Sequence, residues 1–201
     1  ISNEIYAQSI EYANKSLEVL SEIYGNDSLF HIPAYQVIGE AYYKLGKYDI
    51  ATGWIDKSIN ITKTTLGEYN YRLGALYADL AHIFNSLKNH QKALEYYTES
   101  KNILSSIFGE RHPSLANTYI GIGDVYQDLG ELKKAIRNYK ISERILKTHY
   151  SESHRTLSTV YGNMALAYSY LGEQLLANEY FSKSINNSLP ILGENSKSVA
   201  R

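Results

Sequence analysis

The sequence predicts an all-α solenoid, a stack of antiparallel helix hairpins, and three observations carry that expectation. Residue types return every 42 positions: Tyr35, Tyr77, Tyr119 and Tyr161 share one phase, Gly39, Ala81, Gly123 and Ala165 another, and Ala51, Ala93, Ala135 and Ala177 a third. Fixed-period self-similarity marks units too small to fold alone that stack into a continuous core. Within each period the apolar residues recur at spacings of three and four, the signature of a helix face, and nothing alternates with period two. Glycines punctuate the periods at Gly25, Gly67, Gly109 and Gly193, with Ser151 in the missing slot.

The stretch from Arg111 to Ser151 shows how one unit is encoded. His112-Pro113 opens it, and proline suits a first helical turn, where its missing N–H costs nothing. Leu115, Tyr119, Ile122, Gly123, Tyr126 and Leu129 then form one helical face. Gly130 stands at the C-terminal cap, where a left-handed residue ends helices. Leu132, Ala135, Ile136, Tyr139, Ser142, Ile145 and Leu146 form the face of a second helix, so each unit reads as a helical hairpin. Gly123 and Ala135 mark the closest approach of the two helices, Ser142 the contact with the next unit, and the tyrosines fill the space beside them.

The order of an aromatic, Leu, Gly or Ala and Tyr in the first helix, then Ala and an aromatic in the second, resembles the tetratricopeptide repeat. It reads Tyr77, Leu80, Ala81, Phe84, Ala93, Tyr97, Ser100 in one unit and Tyr161, Met164, Ala165, Tyr168, Ala177, Phe181, Ser184 in another. The 42-residue length, with "FGERHPSLANTY" between units, is similar to the kinesin light chain subclass. That resemblance implies a right-handed α-solenoid and a concave groove lined by the first helices. Four departures stand out: Lys88 replaces a turn glycine, Ile55 replaces the second-helix aromatic, Ser151 replaces an inter-unit glycine, and Pro190 should kink or stop the last helix.

The phases place full hairpins at about 32–66, 74–108, 116–150 and 158–192. Residues 2–24 carry a second-helix pattern only, and 197–201 resemble the start of a further first helix. The whole of 1–201 reads as one repeat domain and as a segment of a longer protein. Both end helices should leave an apolar face uncovered and favour weak self-association.

Composition narrows the function classes. A formal net charge of −1 and no basic run remove the electrostatic basis for binding nucleic acid or an anionic membrane. No apolar stretch is long enough to span a bilayer. The absence of Cys excludes disulfides and thiolate metal sites and points to a cytoplasmic setting. Gly121-Ile122-Gly123-Asp124 lacks the strand and third glycine of a dinucleotide loop. His149 and His154 beside Glu152 lack a third ligand at metal spacing. No catalytic triad or carboxylate pair stands out, so neither enzyme activity nor a cofactor is expected.

The resemblance therefore implies a non-catalytic scaffold that binds a protein or peptide in the groove. Carried over by phase, the groove takes Gln36, Glu40, Tyr43 and Lys44 from the first unit and Ala78, His82, Asn85 and Ser86 from the second. The third supplies Asn117, Ile120, Asp124, Gln127 and Asp128, and the fourth Thr159, Gly162, Leu166, Ser169 and Tyr170. A single groove cation, Lys44, speaks against capture of a C-terminal carboxylate. The amides suit a peptide backbone, and Glu40, Asp124 and Asp128 favour a polar or basic ligand. The Asn-, Ile- and Tyr-rich composition points to a bacterial array. There such repeats often accompany a catalytic domain, so the alternative is a regulatory or recruiting arm of a CHAT-type caspase-like peptidase or a sensor kinase.

Overall fold

The computed structural model describes residues 2–150 and 155–199, with side chains through Ser188. Ser151, Glu152 and His154 lie outside the described residues. The chain divides into two compact units, Ile1–Ile107 and Phe108–Arg201. In the first run α1 (Ser2–Tyr24), a 3-10 turn (Leu29–His31), α2 (Ile32–Lys44), α3 (Tyr48–Leu66), α4 (Tyr71–Ser86) and α5 (His90–Phe108). The second holds α6 (Ser114–Asp128), α7 (Leu132–His149), α8 (Arg155–Tyr170) and α9 (Gln174–Val199). Among the described residues there is no strand.

Every hairpin turn is closed by the same backbone hydrogen bonds. The Gly46 N–H donates to the Tyr43 carbonyl at 2.9 Å and the Lys47 N–H to the Tyr42 carbonyl at 2.9 Å. The pair recurs as Gly130 to Gln127 with Glu131 to Tyr126, and as Gly172 to Ser169 with Glu173 to Tyr168. This is the Schellman arrangement, which needs a left-handed residue just past the helix. Gly46, Gly130 and Gly172 supply it at φ 72, 74 and 78. Lys88 supplies it without being glycine, at φ 60, and keeps both bonds, to Asn85 and from Asn89 to Phe84. The pairing of α2 with α3 therefore has a turn of the same construction as that of α4 with α5.

The core of the first unit is the inward face of these helices: Ala51, Ile55, Leu73, Leu76, Leu80 and Ile83 are buried, with Tyr42, Tyr48, Tyr77, Phe84 and Tyr96 packed around them. In the second unit Leu115, Val125, Ala135, Tyr139, Leu157, Val160 and Met164 are wholly enclosed. The row Gly39, Ala81, Gly123 and Ala165 is buried throughout.

The tyrosine row departs from the expected burial. Tyr161 is buried, but Tyr35, Tyr77 and Tyr119 are half-buried. Partial burial suits an amphipathic side chain with an apolar ring and a polar end. Lys57 stands 5.7 Å from the centre of the Tyr35 ring, Lys63 5.6 Å from that of Tyr77 and Lys147 5.7 Å from that of Tyr161. Tyr139, not Tyr119, is the fully buried aromatic of the third hairpin.

The last helix departs as well. Pro190 does not stop α9, which continues to Val199, so no new first helix opens at Lys197 within the described residues. One proline removes a single backbone donor, and Gly193 lies inside the helix, whereas Gly25, Gly67 and Gly109 at the same phase take positive φ.

Close approach at the glycine row has a measurable consequence. A Cβ on Gly123 would fall 2.4 Å from Cε1 of the Tyr139 ring, whereas one on Gly162 would meet only Ser184 Oγ at 3.6 Å. Gly123→Ala should destabilise the protein by about 1–3 kcal/mol through overpacking. Gly162→Ala should stabilise it by about 0.5–1 kcal/mol through backbone entropy. Urea denaturation of the two variants checks both signs.

Candidate functional site

The residues assigned by phase to the first unit do come together. Gln36, Glu40, Tyr43 and Lys44 on α2 and His82 on α4 line one concavity of about 340 Å³, joined by Gly39, Ile55, Asp79 and Ile83. The Tyr43 hydroxyl lies 2.8 Å from His82 Nε2 and 3.0 Å from Ser86 Oγ, and the Tyr43 and His82 rings pack with centroids 4.9 Å apart. Burial, and then the Lys44 ammonium, hold His82 below its ordinary value, which favours a neutral ring at neutral pH.

Asp79 was not legible as a groove residue. It stands at the phase of Val37 and Asn163, one step around the helix from the chosen face. The missing signal is the stagger between neighbouring first helices. Contacts run from Tyr43 to His82 and from Asp124 to Asn163, offsets of 39, and from Tyr43 to Ser86, an offset of 43. Glu40 and Asp79 share the first of these offsets, so equal phases do not bring them together.

Asp79 is exposed to solvent and lines the concavity beside Gln36 and Glu40. Although the residue is exposed, partial desolvation of the carboxyl within the concavity raises it to about 6, against the pull of a hydrogen bond from the Gln36 amide and with a further push from Glu40. Neither carboxylate has a Lys or Arg ion-pair partner among the described residues.

In the second unit the expected acidic step is built differently. Asp124 Oδ1 accepts the Tyr139 hydroxyl at 2.7 Å and Asn163 Nδ2 at 2.8 Å, which ties α6 to α7 and α8. Gln127 Oε1 lies 3.4 Å from the same hydroxyl, whose one proton goes to the nearer carboxylate. Burial raises the Asp124 carboxyl to about 6 despite these donors, with Asp128 adding to the rise. Asp124 thus serves first as a clamp within the unit.

The remaining predicted residues scatter. Asn85 is half-buried, with Oδ1 2.9 Å from His90 Nδ1 across its own turn, so that its amide helps close the hairpin. Asn117 and Asp128 are exposed. Tyr170 is 69% exposed at the end of α8 and lines neither concavity. Thr159, Gly162 and Leu166 line a second concavity of about 500 Å³ with Ser158, Asn163 and Phe181. Across it Ser158 Oγ donates to the Ser184 carbonyl at 2.9 Å and Ser184 Oγ to that of Ser158 at 2.8 Å. Among the described residues no group of three His, Cys, Asp or Glu could hold a metal ion, and no helix is long and apolar enough to cross a membrane.

Repeated helix hairpins with identical turns, small residues at each crossing and open concavities between first helices define a helical-repeat solenoid. Tetratricopeptide-repeat family models match residues 71–148 and 34–68, and the chain belongs to the tetratricopeptide-repeat family. No curated protein matches it. Its fold is similar to BtubC (BKLC) from P. vanneervenii, with 18% identity, a TM-score of 0.77, and 94% of this chain and 75% of that one covered. It is similar to the nearly identical, kinesin light chain-type TPR-like repeats of Podosopora anserina, with 16% identity, a TM-score of 0.66 and 94% of each chain covered. A Rap protein complexed with Competence and Sporulation Factor superposes with a TM-score of 0.79 at 17% identity over 93% of this chain and 50% of its own.

The raised carboxyl of Asp79 has a sign that can be tested. A carboxyl whose folded pKa lies above its unfolded value binds more protons when folded, so its share of stability is complete below about pH 4 and is lost as pH rises through about 6. Asp79→Asn removes this dependence. The stability of the native chain relative to Asp79→Asn should therefore rise as pH falls from 7 to 5, read from urea melts. A difference that is flat with pH, or of opposite slope, would mean that Asp79 is better solvated than its position implies.

Proposed function

We propose that this chain is a non-catalytic protein-interaction scaffold that holds an extended segment of a partner against the groove face of its first helices, with the α2–α4 concavity as the principal contact. The observation that carries this reading is the convergence of Gln36, Glu40, Tyr43, Lys44, Asp79 and His82 in one open concavity. The family membership supports it, because stacked hairpins expose extended concave surfaces that suit chains better than small molecules. The Rap protein of the same fold, solved with Competence and Sporulation Factor, supports ligand binding by this architecture.

The chemistry of the concavity favours a polar segment with basic character. Gln36 offers an amide that pairs with either sense of a peptide backbone. Glu40 and Asp79 provide negative charge, while Lys44 at the rim disfavours a second ligand cation beside it. With Asp124 bonded to Tyr139 and Asn163, the preference for basic ligands rests on the first unit.

A peptide array probed with the native chain, with Glu40→Ala/Lys44→Ala and with Glu99→Ala tests the reading. Glu99 is exposed on α5, away from the concavity. The double variant should retain peptides about two- to fivefold less well, as expected for partly solvated charged contacts, and Glu99→Ala should match the native chain. Equal retention by all three would move the site off this groove.

A further inference from the structure

Resting on the groove reading, we infer that the α2–α4 concavity is a receptor for one arginine side chain of the partner, its guanidinium held by the carboxylates of Glu40 and Asp79. The support is an internal comparison. Glu40, Ile55 and Asp79 stand 84 residues, two repeats, before Asp124, Tyr139 and Asn163. In the second unit these positions form a closed slot: a carboxylate, a phenol that donates to it and an amide that donates to it. In the first unit the carboxylate is kept and both donors are replaced. Ile55 has no hydroxyl, and Asp79 puts a second acceptor where Asn163 supplies N–H.

The space changes with the chemistry. Gly39 and Gly123 share the phase at which the second-helix side chain crosses. The Tyr139 ring fills that crossing so closely that a Cβ on Gly123 would lie 2.4 Å from it, whereas Ile55 Cδ1 is the nearest atom to the corresponding point on Gly39, at 3.0 Å. The shorter side chain leaves the concavity of about 340 Å³ open beside Glu40 and Asp79. What the slot lacks is a group that brings several N–H donors and positive charge on a flat, partly apolar body.

Arginine has that form. Its planar guanidinium offers five donors in a fork matched to carboxylates, and it is more weakly hydrated than an ammonium, so partial burial against Ile55 and Ile83 costs it less. Lysine carries the charge without the fork. The other charged or titratable groups facing the concavity are Tyr43, Lys44 and His82. A neutral His82 does not repel the cation, and Lys44 would be offset by the ligand's own backbone carbonyl. Desolvation is the main cause of the rise at Asp79, and the smaller push from Glu40 is relieved once a cation lies between the two carboxylates.

The test is a titration of the full chain with Nα-acetyl-arginine amide and with its lysine and citrulline counterparts, followed by NMR shifts of the α2 and α4 amides. Arginine should saturate, lysine should bind about tenfold more weakly, and citrulline, isosteric but uncharged, should not saturate. Ile55→Tyr/Asp79→Asn rebuilds the closed slot over Gly39. It should keep or raise the melting temperature while losing at least about tenfold in arginine affinity. Asp79→Asn alone, which needs no repacking, should lower affinity in the same direction. Citrulline binding as well as arginine, arginine failing to saturate by about 10 mM, or undiminished binding by either variant each overturns the assignment. The peptide array separates the two readings. Peptides still retained by a groove that ignores free arginine leave the groove reading standing, whereas arginine binding with no peptide retained leaves only the receptor.

Discussion

Each hairpin depends on what is absent at one position of its first helix. Where the second helix crosses, the chain carries Gly39, Ala81, Gly123 or Ala165, all buried. Two helices approach closely only if one contributes little or no side chain there, and the partner's ring or branched chain then settles onto bare backbone. At Gly123 the fit leaves no room for a methyl group. That contact sets the spacing of the hairpin, the Schellman turn sets its direction, and together they repeat the hairpin geometry within each unit.

The same crossing also decides which parts of the groove are filled. Tyr139 runs under the first helix and emerges with its hydroxyl on Asp124, so an acidic groove residue becomes an internal acceptor. With Ile55 at that place the phenol is missing, and the acidic residue faces a cavity instead. The electrostatic consequence differs as well. Asp124 is half-buried among donors, whereas Asp79 lies exposed beside Glu40 with the Gln36 amide to favour its charge. Core packing and surface chemistry are thus linked through the second-helix side chain at the crossing, Tyr139 in one hairpin and Ile55 in the other.

Most of the fold was readable in the amino-acid sequence because it is written in phases: hairpins, turns and the small-residue row all follow from counting. The tyrosine row was misjudged because periodicity reports which face a residue takes and not how far its polar end can reach out. Pro190 and Gly193 carry stop signals that the run of helix around them overrides. The site was half legible. Equal-phase reasoning assembled Gln36, Glu40, Tyr43, Lys44 and His82, but it missed Asp79, which belongs to the stagger between neighbouring helices. It also could not see that Asp124 was already taken, since that depends on a phenol arriving from the second helix.

The closed slot and the open one differ at few side chains, with the backbone phase unchanged, and this bears on how such arrays diversify. Aspartate and asparagine codons differ at a single nucleotide, whereas isoleucine and tyrosine codons differ at two, so passing from one form to the other changes two codons. The glycine over which the second-helix side chain crosses is present at Gly39 and Gly123, with alanine at Ala81 and Ala165. The hairpins at Gly39 and Gly123 thus carry, in one chain, an open and a plugged form of the same slot.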